Sequence, residues 1–126
     1  MNRREQLRHT TLTNLREHGV LMLDGHFDYG NGFHGSVYLN PHGIFQQPSL
    51  IWRFAQDLIG LLPEPIVTET EVVAGPVMGG ALFAHTLAGL LDGRRSLTHP
   101  PTSFAPLSTD ANGRLALRPF YRTVVS

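Results

Sequence analysis

Between Arg3 and His18 apolar residues are sparse, and Leu7, Leu12 and Leu15 fall at helical spacing. The spacing predicts a helix with a narrow apolar stripe, stopped at Gly19. Val20 to Leu23 is a short apolar run. Asp24-Gly25 reads as a turn, and His26-Phe27-Asp28-Tyr29 as a strand beyond it. Gly30-Asn31-Gly32 is a second turn signal, followed by a strand at Ser36-Val37-Tyr38-Leu39 that Pro41-His42-Gly43 closes. These pieces predict a small antiparallel unit after the first helix. Pro48-Ser49 then opens a second helix, with Ser49 as its N-cap and Leu50, Ile51, Phe54, Leu58, Leu61 and Leu62 at helical spacing. Pro63-Glu64-Pro65 ends that helix and reads as a stiff linker.

Farther along, the pattern changes. Glu71-Val72-Val73-Ala74 is a short apolar run ending in Gly75-Pro76, as expected of a buried parallel strand. Gly79-Gly80 follows, and then a helical run of small and apolar residues from Ala81 to Leu91, suited to close packing on a sheet. Thr102 to Leu107 and Arg114 to Phe120 read as the arms of a hairpin turned by Asp110-Ala111-Asn112-Gly113. Phe104, Leu115 and Leu117 are expected in the core. The fold class is α/β, although one strand–loop–helix unit does not by itself complete a doubly wound domain.

Composition narrows the function classes. The chain has 126 residues, one domain's worth, and a hydrophobic fraction of 41% that supports a core. Ten basic residues balance ten acidic ones, which argues against a nucleic-acid binder with a basic face. All the basic residues are arginine; there is no lysine. There is also no cysteine, which excludes disulfides, thiol nucleophiles and cysteine-based zinc sites. The N-terminus carries no apolar signal core and no run is long enough to span a bilayer, so a soluble cytoplasmic protein without membrane partners is expected.

Two segments carry candidate chemistry. In Val72 to Ala81, a glycine-bearing loop joins a strand to a helix. Such a joint presents free backbone N–H groups and the positive end of a helix dipole, which is the physics of a phosphate or diphosphate cradle. Tight strand–helix packing would select the same glycines. The segment is neither a Walker loop nor a dinucleotide fingerprint. The second segment, Gly25 to Asn40, mixes aromatics, glycines, His26 and His34, and offers aromatic faces to a flat heterocycle. A glycine-rich hairpin whose aromatics fill the core would also account for it. His26 and His34 read as loop histidines rather than metal ligands, His85 as a partly buried structural histidine, and Arg94-Arg95 as a solvated helix end.

Together, Gly25-His26-Phe27, Asn31 to Gly35, Tyr38-Leu39-Asn40 and Val72 to Gly80 resemble, in order and spacing, the N-terminal half of orotate phosphoribosyltransferases. The resemblance covers Arg3 to Leu91. It implies the type I phosphoribosyltransferase plan, with a small N-terminal hood and helix (1–63) and the start of a parallel core sheet with a hairpin (64–126), incomplete at the C-terminus. It places diphosphate binding on Gly75, Pro76, Val77, Met78, Gly79 and Gly80. Base binding falls on Val37, Tyr38 and Leu39, with Tyr38 stacking on the pyrimidine. The implied substrates are phosphoribosyl diphosphate and a pyrimidine base, orotate first. The implied cofactor is Mg2+, held mainly through the diphosphate, with no metal site on the protein and no catalytic residue assigned.

The resembled enzymes are commonly homodimers; no periodicity in this sequence establishes one. The sequence departs from the family pattern in its basic residues. The family's basic position near Gly30 to Gly32 is empty of charge, and the catalytic-loop region, Phe104 to Phe120, carries only Arg114 and Arg118 as cations. The strand ending in Asp-Asp and the Thr-x-Gly loop are absent, so the isolated chain is expected to be inactive. A homologue acting on another base, or a non-catalytic nucleotide-binding domain of the same fold, fits the same letters.

Overall fold

The computed structural model describes residues 2–125. They form two compact units, divided between Leu50 and Ile51.

The first unit opens with α1 (Arg3–Glu17). A capping box sets its start: the Asn2 side chain accepts from the Glu5 amide at 2.8 Å, and the Glu5 carboxylate accepts from the Asn2 amide at 3.3 Å. Leu7 and Leu15 are half-buried but Leu12 is exposed, so the stripe is thinner than its spacing suggests. Two minimal antiparallel ladders follow. In one, β1 (Leu21–Met22) pairs with β4 (Tyr38–Leu39), Leu21 opposite Leu39 and Met22 opposite Tyr38. In the other, β2 (Phe27–Asp28) pairs with β3 (His34–Gly35), Phe27 opposite Gly35 and Asp28 opposite His34. Val20, at the entry to β1, is buried; its amide donates to Leu15 at 2.9 Å and its carbonyl accepts from Asn40 at 2.6 Å. Pro41-His42-Gly43 does not close a strand. It begins a short helix, α2 (His42–Phe45).

Helix α3 (Pro48–Leu61) starts one residue before the expected cap. Proline suits a first helical position, where no intrahelical donor is needed, so Ser49 lies within the first turn rather than capping it. Its buried residues are Leu50, Ile51, Ala55 and Ile59; Leu58 and Leu61 are exposed. Pro63-Glu64-Pro65 is likewise not a linker. It opens α4 (Glu64–Glu69), with proline in the first turn, where its missing N–H leaves no bond unmade.

The core of the second unit is a three-stranded sheet in the order β5-β6-β7. The parallel pair β5 (Val72–Pro76) and β6 (Ser103–Thr109) is joined through α5 (Gly79–Asp92), and β7 (Leu115–Leu117) returns antiparallel to β6. Ala81, Ala84, Ala88 and Leu91 form the buried stripe of α5, and Ala105 of β6 is fully buried. These small side chains let helix and sheet approach closely. The hairpin turn is as predicted: Asp110 Oδ1 accepts from the Asn112 and Arg114 amides, and Gly113 takes the positive φ of +77° that an L-residue resists. Leu115 is not core; it is 58% exposed because β7 is an edge strand, while Phe104 and Leu117 are half-buried. A 3-10 helix, Pro119–Val125, follows, and its Tyr121 sets its ring edge-on to Phe104.

Arg95 is not a solvated helix end. Its Nε and Nη2 donate to the Val67 carbonyl at 2.9 and 2.7 Å, and its Nη1 donates to Thr102 Oγ1 at 2.7 Å. Asp92 Oδ1 accepts from the Thr102 amide at 2.9 Å and hydroxyl at 2.8 Å. The end of α5, the end of α4 and the approach to β6 are thus tied through one polar knot. The Thr102 amide and hydroxyl hold the Asp92 carboxyl below the usual carboxylate range, with smaller help from the charges of Arg95 and His99. A depressed carboxyl contributes stability above the unfolded value, about pH 4, and loses it as pH falls through the folded value. Asp92→Asn is therefore expected to lower the thermal midpoint at neutral pH and to converge with the parent chain in acid. A gap between the two midpoints that stays constant down to strongly acidic pH would contradict this assignment.

Candidate functional site

The loop between β5 and α5 is built from backbone. Val77 N–H donates to the Leu107 carbonyl at 2.8 Å, which fastens the loop to β6. The Val77–Met78 peptide is cis. Helix α5 begins at Gly79 without a side-chain cap. Its first-turn amides, which have no intrahelical acceptor, lie at the C-terminal end of a parallel strand. In open α/β sheets this is the end where ligands sit, and the helix dipole there favours an anion.

Gly75 and Gly80 have an internal role as well. A Cβ on Gly75 would collide with the Gly80 carbonyl oxygen and lie 3.0 Å from Ala84 Cβ, and a Cβ on Gly80 would lie 2.5 Å from Pro76 Cδ. The strand end and the helix start therefore meet backbone to backbone. Close packing accounts for these two glycines whether or not an anion binds. Pro76, Val77 and Met78 are exposed on the outside of the turn, and Gly79 is half-buried. Gly75, Pro76, Val77, Met78, Gly79 and Gly80 thus form one continuous turn. No side chain in it is charged, so its attraction for an anion comes from amides and dipole alone.

Val37, Tyr38 and Leu39 belong to the first unit, at and just before β4, and all three are exposed. The Tyr38 ring stacks with Phe27, centroids 5.7 Å apart and planes at 26°, and with Tyr29 at 6.3 Å and 18°. Phe27 and Tyr29 lie two residues apart and so point to one side of the chain. The Val37 carbonyl accepts a hydrogen bond from the Tyr29 hydroxyl. The segment thus presents a three-ring aromatic cluster centred on Tyr38. The sequence offered these aromatics but not their mutual stacking, which depends on the register of two separate ladders.

Of the remaining candidates, Arg114 and Arg118 are both exposed, on the hairpin and just beyond it. His85 is exposed rather than partly buried, with its ring edge-on to Phe104 at 5.1 Å. His26 Nε2 and His34 Nδ1 lie 2.9 Å apart, a pairing the sequence reading missed because it placed the strand at Ser36–Leu39 and left His34 in the loop before it, whereas β2 pairs with His34–Gly35. An open depression of about 490 Å3 is lined by Thr68, Glu69, Glu71, His99 and Ser103 among others. It lies by the N-terminal ends of β5 and β6 and is acidic, the wrong end and the wrong charge for an anion. Among the described residues no three or more His, Cys, Asp or Glu side chains converge as a metal cage. No helix among those residues is long and apolar enough to cross a membrane.

Comparison with known proteins finds orotate phosphoribosyltransferases. The chain is 33% identical over 70 residues to the orotate phosphoribosyltransferase of Erythrobacter litoralis, a match covering 56% of this chain and 36% of that enzyme. It is 32% identical over 77 residues to the orotate phosphoribosyltransferase of Heliobacterium modesticaldum, covering 61% of this chain and 40% of the enzyme. The crystal structure of orotate phosphoribosyltransferase from Aeropyrum pernix superposes with a TM-score of 0.60 at 20% identity, over 84% of this chain and 55% of that one. The chain is orotate phosphoribosyltransferase-like in sequence and α/β in fold. No family model matches it. The matched segments span little more than a third of the curated relatives' length.

Proposed function

We propose that this chain carries the diphosphate-binding and base-binding parts of a phosphoribosyltransferase of pyrimidine nucleotide synthesis, with orotate as the base. The observation that carries the reading is the uncapped start of α5, placed by a glycine-tight turn at the C-terminal end of a parallel strand. In the reaction a ring nitrogen of the base bonds to the anomeric carbon of phosphoribosyl diphosphate as the bond from that carbon to the diphosphate oxygen breaks, and the proton that nitrogen carried passes to water. Diphosphate leaves with the electron pair. Such a displacement needs no protein nucleophile; positioning and stabilisation of the leaving anion do most of the work. In this reading the amides of Gly79, Gly80 and Ala81 hold the diphosphate, and the ring of Tyr38 lies against the pyrimidine. Magnesium carried in on the diphosphate would supply neutralisation of its charge.

The absence of lysine supports a second reading. The resembled family's basic residue near Gly30 to Gly32 has no counterpart here, the catalytic-loop region carries only Arg114 and Arg118, and arginine does not replace the compact point charge of an ammonium. A domain that binds phosphoribosyl diphosphate without turning it over fits that loss. One experiment serves both readings. The 15N-labelled chain is titrated with magnesium phosphoribosyl diphosphate and then with orotate, uracil or a purine base, while nucleotide product is assayed in parallel. The expected result is amide shifts confined to Val77–Ala81 with the first ligand, shifts around Tyr38 with orotate ahead of the other bases, and no nucleotide from the isolated chain. Silence of the Val77–Ala81 amides at millimolar ligand would defeat the diphosphate assignment. Product formation would defeat the binding-only reading.

A further inference from the structure

The hairpin of β2 and β3 carries a feature that the proposed reaction leaves unused. Asp28 stands opposite His34 in the ladder, and His26 lies two residues before Asp28, so all three side chains rise from one face. His26 Nε2 and His34 Nδ1 are 2.9 Å apart, with ring centroids at 5.0 Å and planes at 59°. The other nitrogen of His34, Nε2, lies 3.9 Å from Asp28 Oδ1. Both histidines are exposed to solvent. A neutral hydrogen bond between two exposed imidazoles competes with water and contributes little.

We propose that His26 and His34 together chelate one divalent cation of the copper–nickel class. Two metal–nitrogen bonds of ~2.0 Å that meet at about 90° span the separation seen here, whereas a tetrahedral zinc angle requires a wider pair. Right-angle donors suit tetragonal copper(II) or nickel(II), imidazole suits both metals, and copper binds the tighter of the two. The protein supplies two ligands and water the rest, consistent with the absence of a three-residue cage among the described residues. Asp28 does not ligate; it orients. The ring proton of His34, when it sits on Nδ1, moves to Nε2 as the metal takes Nδ1, and there it faces the Asp28 carboxylate. This is the carboxylate–histidine–metal relation that fixes a ligand's tautomer. No net proton is released by that step. Of the other histidines, His18 Nδ1 bonds the Asn14 carbonyl, His99 Nδ1 bonds the Pro100 carbonyl, and His42 and His85 lie edge-on to Phe45 and Phe104.

The test is a Cu2+ titration of the tag-free chain, followed by electron paramagnetic resonance and by paramagnetic broadening of amide signals. One copper per chain is expected, with a two-nitrogen superhyperfine pattern, and the amides of residues 26–36 should bleach first. His26→Gln and His34→Gln should each reduce the pattern to one nitrogen. Asp28→Asn should weaken binding by about 10-fold with both nitrogens retained, and His9→Gln should change nothing. Two nitrogens persisting in either glutamine variant would overturn the proposal, as would first bleaching around His9, His18, His42, His85, His99 or the amino terminus. If a glutamine variant disturbs the hairpin itself, the broadening map of the parent chain still decides between the sites.

Discussion

Gly75→Val is expected to abolish both the packing of α5 on β5 and any binding of diphosphate. A branched side chain at this position meets the Gly80 carbonyl oxygen and Ala84 Cβ, neither of which is the far end of a flexible group. The helix start has to move away from the strand end, and the alanine stripe of α5 loses contact with the sheet. Overpacking of this kind costs about 3 kcal/mol or more, a large share of a small domain's stability. The matched control is Gly89→Ala on the same helix, where nothing lies within 4 Å of the added methyl. Replacing an exposed mid-helix glycine by alanine should raise stability by about 0.5–1 kcal/mol. Urea denaturation of the two variants reads both signs. Equal stability of Gly75→Val and the parent chain would mean that the strand end and helix start do not touch as described.

The next largest effect is expected at Ile59. It is 2% exposed on α3, and Ile59→Ala removes three buried carbons and leaves a cavity, at a cost of about 2–5 kcal/mol. Leu58→Ala and Leu61→Ala, on the same helix but 36% and 43% exposed, should each cost about 1 kcal/mol or less. Denaturation midpoints of the three variants test which face of α3 is buried. A Leu58→Ala loss as large as that of Ile59→Ala would show the buried stripe to run where spacing alone first placed it, through Leu58 and Leu61.

Helical and turn signals were legible because their causes are local. Asn112-Gly113 turned the hairpin, Gly75-Pro76 ended a parallel strand, and small residues from Ala81 onward foretold a helix lying close to a sheet. The α/β class followed from them; the resemblance to orotate phosphoribosyltransferases rested instead on the order and spacing of the motifs between Gly25 and Asn40 and between Val72 and Gly80. The capping box at Asn2 and Glu5 was equally local and could have been read from the Asn-x-x-Glu spacing. Prolines misled twice, at Pro63-Glu64-Pro65 and Pro41-His42-Gly43. Proline is a helix breaker only after the first turn and a helix starter within it, and which applies depends on where the helix begins.

Tertiary structure alone decided the rest. The buried face of α3 settled on Ala55 and Ile59 rather than on every leucine at helical spacing, because burial depends on what lies opposite. Arg95 reached back to Val67 and across to Thr102, residues 28 and 7 positions away, which no charge pattern along the chain encodes. The stack of Phe27, Tyr29 and Tyr38 and the pairing of His26 with His34 arise from strand register. Sequence by itself determined which segments could be helix, strand or turn and supplied the amide-rich turn before α5. The fold determined which side chains meet, because contacts between residues distant in the chain depend on register and approach distance, and neither is a property of any single segment.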